Sequence, residues 1–125
     1  MQRSTLLTVS SLLSILLLTL HISDDIVLGM DTPGPGTLIG IGIAVVLLYG
    51  TLVLWQRLAG RIIILLTGLA ALGMPIIHLR GTHIIEIVRS SGGLFFMWTL
   101  FALGVLGTFT VILAVQEMLD RRKGD

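Results

Sequence analysis

Four stretches of this 125-residue chain contain no Asp, Glu, Lys or Arg: residues 4–23, 32–56, 62–79 and 90–116. A helix of about 20 mainly apolar residues crosses the hydrocarbon core of a bilayer, and each stretch is long enough or nearly so. Charged residues make up 12% of the chain, half the roughly 25% of a soluble domain. That balance excludes a soluble globular domain, a nucleic-acid binder and a disordered chain. Backbone groups in lipid must be hydrogen-bonded within a helix or a closed barrel. The runs are continuous and rich in Leu and Ile, without the alternation of a barrel strand, so they predict helices.

The expected fold is all-α: a four-span transmembrane helical bundle forming one integral membrane domain over 1–125. The spans fall at 6–22, 38–55, 62–79 and 94–115. Residues 23–37, with the turn sequence Pro33-Gly34-Pro35-Gly36, form the first connection. Gln56 to Arg61 is so short that spans 2 and 3 must form an antiparallel hairpin. Arg3, Arg57, Arg61, Arg121, Arg122 and Lys123 fall on one side of such a bundle, and only Arg80 and Arg89 on the other. The positive-inside rule then places both termini in the cytoplasm of a multi-pass protein of the cell membrane. A competing reading makes residues 1–22 a secretory signal peptide. No small-x-small cleavage site follows Leu20, so the first span is expected to stay as an anchor.

Small residues recur at close-packing spacing: Gly36, Gly40 and Ala44 in span 2, Gly68 and Ala71 in span 3, Gly104 and Gly107 in span 4. Helices in lipid have no hydrophobic drive to associate, so residues that let backbones approach mark the contacts. Pro75 lacks an N–H and is expected to kink span 3 and free the carbonyl of Ala71. Tyr49, Trp55 and Trp98 sit where interfacial aromatic rings anchor a bundle.

The residues that carry chemistry gather at one boundary. His21 ends span 1, with Asp24 and Asp25 at i+3 and i+4 on the same helical face. His78 and His83 flank the end of span 3, and Glu86 follows His83 at i+3. Residues 82–90 are polar at 82, 83, 86, 89 and 90 and apolar at 84, 85, 87 and 88, the pattern of an interfacial amphipathic segment. Imidazole and carboxylate suit zinc or another divalent metal. In that reading His21, Asp24 and His78 are ligands, with either His83 as a fourth ligand or Asp25 or Glu86 as a general base on a metal-bound water. Hydrolysis of an interfacial lipid substrate would suit such a position. A further reading makes His21 and His78 the axial ligands of a haem. Against both stands the plain alternative that polar residues simply avoid hydrocarbon, which favours a non-catalytic subunit assembling with itself or with other membrane proteins. Spans 1 and 2 hold no mid-membrane carboxylate, which argues against active transport.

Four short spans in such a length resemble small multidrug resistance transporters, whose working glutamate lies within the first span; residues 4–23 hold none. Double-barrelled fluoride channels are of similar size but use an Asn, and quinone reductases of the vitamin K epoxide type use cysteine pairs. This chain has neither residue, so none of these resemblances assigns a function.

Overall fold

The computed structural model describes residues 3–29, 33–79 and 84–124. Five helices follow in order: α1 (Arg3–Val27), α2 (Pro35–Leu52), α3 (Leu58–His78), α4 (Ile84–Arg89) and α5 (Gly93–Gly124). No strand occurs among the described residues. Of the five, α1, α2, α3 and α5 are long and apolar enough to cross a membrane. Their outward faces agree with that, since Leu38, Leu66, Leu94, Phe101 and Val105 are all exposed. Water would not tolerate so large a contiguous apolar surface.

The helices differ from the expected spans at their ends, for local reasons. α1 runs on to Val27, so Asp24 and Asp25 are helical and share a helix with His21. α2 starts earlier than expected, at Pro35. Proline is tolerated at a first helical position, where its missing N–H would have no partner anyway. The Gly34 N–H donates to Thr37 Oγ1 at 3.2 Å and closes this cap. α5 continues to Gly124, beyond the apolar run that ends at Gln116. α4 occupies part of the expected interfacial segment, and its turn into α5 uses Gly92 at φ +93°, a left-handed conformation that favours glycine. Residues 80–83, with His83 and Arg80, lie outside the described residues.

α3 and α5 pack most extensively, followed by α1 and α5. The reason for the first pairing is glycine. A methyl on Gly107 would stand 2.5 Å from the Leu72 backbone N and 2.7 Å from the Gly68 carbonyl oxygen. Gly68 in turn faces Val111 and Thr110 at about 3 Å. Pro75 lies inside α3, which continues to His78, and its ring packs on Gly104. The expected small-residue contacts of spans 3 and 4 are therefore made within the bundle.

Span 2 behaves differently. Only Leu47, Gly50 and Thr51 of α2 are buried, all near its C-terminal end. Gly36, Gly40 and Gly42 have nothing within 4 Å of a built Cβ. A cleft of about 410 Å³ separates α1 from α2, lined by Ile15, Ile22, Gly40 and Ala44 among others.

The inner face of α1 is a hydroxyl stripe. Ser11 Oγ donates to Thr51 Oγ1 at 2.9 Å, because the Thr51 hydroxyl is itself given to the Leu47 carbonyl. Thr110 Oγ1 donates to Ser10 Oγ at 3.1 Å, tying α5 to α1. Ser14 bonds back to the Ser10 carbonyl. Beyond Ser14 the stripe stops at an apolar layer of Ile15, Leu17, Leu18, Leu47, Ala71 and Leu103. His21 lies seven residues on, about 10 Å along the helix axis.

Candidate metal centre

His21 and His78 are brought together because α1 and α3 run the same way and end at the same face of the bundle. Their rings meet edge to face, with centroids 4.9 Å apart and planes at 81°. Phe96, from the first turn of α5, closes the cluster at 4.5 Å from His21 and 5.7 Å from His78. His21 and Phe96 are fully buried, whereas His78 and Asp25 keep some access to the surface.

The hydrogen bonds fix the tautomer of each ring. Thr99 Oγ1 donates its proton to the Phe96 carbonyl at 2.9 Å, so toward His21 it can only accept. His21 Nδ1, 3.0 Å away, is therefore the protonated nitrogen. His78 Nδ1 lies 3.0 Å from the Met74 carbonyl oxygen, which has no proton to give, so it too carries the hydrogen. In the neutral form of each ring, Nε2 is then the nitrogen that carries the free lone pair. That of His21 is buried and has no hydrogen-bond partner among the described residues. Burying an acceptor without a partner costs about 1–3 kcal/mol, so this atom calls for an explanation.

The atoms around it supply one. Ligand atoms of His21, Asp25 and His78 all lie within 4.8 Å of one another. His78 Nε2 to Asp25 Oδ1 is 3.5 Å. That is long for a charge-assisted hydrogen bond of about 2.7–2.9 Å. It is close to the roughly 3.3 Å between ligands of one tetrahedral ion with bonds of about 2.0–2.1 Å. Anchoring the distal imidazole nitrogen on an oxygen is also how proteins orient metal-bound histidines.

The expected site residues sort as follows. His21 and His78 converge. Among the described residues Asp25 joins them and Asp24 does not, although the Asp24 Oδ2, nearby in sequence, is buried without a hydrogen-bond partner among those residues. Glu86 lies on α4 and is exposed. His83 is outside the described residues. For a haem the geometry is unfavourable: rings in direct contact leave no slot for a macrocycle between them. Thr99 and Phe96 are parts of the cluster that the sequence did not single out. Both stand in an apolar run with other threonines and phenylalanines, and nothing local marks them.

Fold and cluster together define a small helical protein with four helices able to span a membrane and a histidine–carboxylate group at one end. Comparison with protein-family models, with curated proteins and with solved structures finds no match.

Proposed function

We propose that this protein is a metal-binding membrane protein that holds a divalent ion, zinc in the first instance, through His21 Nε2, His78 Nε2 and a carboxylate oxygen of Asp25. The observation that carries the reading is the buried His21 Nε2, unpartnered among the described residues and grouped with His78 Nε2 and a carboxylate oxygen of Asp25. Two imidazoles and one carboxylate are a donor set that zinc and non-haem iron share. Three protein ligands leave a fourth tetrahedral position for water or substrate. An ion there would act as a Lewis acid and lower the pKa of its water. This reading exchanges the ligand role of Asp24 for Asp25. The bundle is taken as N-in and C-in, so the metal faces the outer side of the cell membrane.

The test is metal titration of the purified full-length chain against a chromophoric chelator, with elemental analysis after dialysis. We expect about one equivalent of zinc, lost in both His21→Ala and His78→Ala and weakened at least tenfold in Asp25→Asn. Retention of full metal content by both histidine variants would overturn the assignment.

A second reading, assembly with itself or within a larger membrane complex, is supported by α2. Its small residues Gly36 and Gly40 lie open rather than packed within the bundle. The two readings are compatible, since the metal ligands lie on α1 and α3 and the open small residues on α2.

A further inference from the structure

The other end of the bundle carries an independent feature. Arg3 pairs with Asp120, and Arg121 Nε donates to Glu117 Oε1 at 3.0 Å. These pairs engage both acidic side chains of α5 described at this end. Arg61, in the first turn of α3, is left without an ion pair among the described residues. It is nine-tenths buried, and its Nε is enclosed and unpartnered. A buried guanidinium without a counter-ion is unfavourable, so an anion is the group this position lacks.

The surroundings fit an anion. Arg61 Nη2 donates to the Gln56 carbonyl at 2.8 Å, which folds the guanidinium back over the start of its own helix. α3 begins at Leu58 after an Arg57 N-cap, and no side chain caps the first-turn N–H groups. Those amides and the positive end of the helix dipole attract a negative group. Arg57, the exposed N-cap residue of α3, adds a second positive charge at this helix start. Gly60 keeps the turn closed over this point, since any Cβ there would strike the Leu54 carbonyl.

We propose that the first turn of α3, with Arg61 and Arg57, binds the phosphate of an anionic phospholipid. A phosphate could come from water or from a headgroup, and the neighbours favour the headgroup. Leu58 and Ile62 flank the arginines and are exposed, so acyl chains have an apolar helix face to follow. Anionic headgroups match an end whose two remaining described side-chain charges, Arg57 and Arg61, are both positive. A zwitterionic headgroup would bring its ammonium against them.

The experiment uses the full chain in detergent, with lipid binding followed by native mass spectrometry and by thermal melting. Phosphatidylglycerol, phosphatidylcholine and inorganic phosphate are titrated separately. We expect phosphatidylglycerol to bind at least tenfold more tightly than phosphatidylcholine and to raise the melting temperature, with inorganic phosphate at equal concentration giving little shift. Arg61→Gln should bring the headgroup ratio close to one. Arg61→Lys should lose most of it as well, because a point charge does not replace the guanidinium fork. Equal binding of the two lipids by the unmodified chain overturns the proposal, as does an unchanged ratio in Arg61→Gln. Protection by inorganic phosphate equal to that by phosphatidylglycerol overturns the lipid assignment. Should Arg61→Gln fail to fold, Arg57→Gln decides: its side chain is exposed, a threefold fall in the ratio is expected, and an unchanged ratio counts against the site.

Discussion

A single hydroxyl decides what His21 can do. Thr99 gives its proton to the Phe96 carbonyl and accepts from His21 Nδ1, which leaves Nε2 bare and aimed at His78 and Asp25. Thr99→Val keeps the shape of the side chain but removes that acceptor. The ring is then free to change tautomer or turn, and zinc affinity should fall by about 10- to 100-fold, the usual cost of losing such a partner. Competition with a chromophoric chelator reads this directly. An affinity within twofold of the unmodified chain would mean that Thr99 does not orient the ring. The same scale shows where the sequence stopped being legible. His21 with acidic residues at i+3 and i+4 is visible in the chain, but the choice between them is not. At about 100° per residue, Asp25 stands some 40° to one side of His21 and Asp24 about 60° to the other. Which one meets His78 depends on where α3 packs around α1, a tertiary fact with no local signal.

Between elements, close approach separates α3–α5 from α2. The glycine spacing in spans 2, 3 and 4 looked alike in the sequence, yet only the latter two are used inside the bundle. Gly107 meets the backbone of α3, which cannot rotate away as a side chain could. Gly107→Ala should therefore cost about 1–3 kcal/mol through overpacking, seen as a lower melting temperature in detergent. Gly40→Ala should leave that temperature unchanged or slightly raised, because nothing lies within 4 Å of its Cβ and alanine is the better helix former. Gly40→Leu then isolates the assembly reading. Loss of self-association or of a co-purifying partner, with melting unchanged, would place the interface on α2, and unchanged association would remove it. The spans themselves were legible throughout, since charge-free length sets them. Their ends were less so, because the helical register of α1 carries past its apolar run to Val27.

As a whole the molecule is polar at two ends and closed between them. Arg3, Arg57, Arg61 and Arg121 lie at the end where α1 starts and α5 finishes, and the histidine cluster lies at the other. The serine stripe of α1 does not join them, because Leu17, Leu18, Ala71 and Leu103 fill the layer between Ser14 and His21. Each end must therefore do its work with the compartment it faces, and orientation determines what both proposals mean. The bias of basic residues predicts that the arginine end is cytoplasmic. The absence of cysteine makes this simple to test, since one introduced thiol is the only site for a maleimide. Ser91, in the turn between α4 and α5, and Gln56, between α2 and α3, are both exposed and lie at opposite ends. In intact cells a membrane-impermeant maleimide should label Ser91→Cys at once and Gln56→Cys only after permeabilisation. The reverse pattern would turn the metal cluster toward the cytoplasm. It would also move Arg61 away from the leaflet in which anionic headgroups are concentrated, so this one result constrains the metal supply and the lipid supply together.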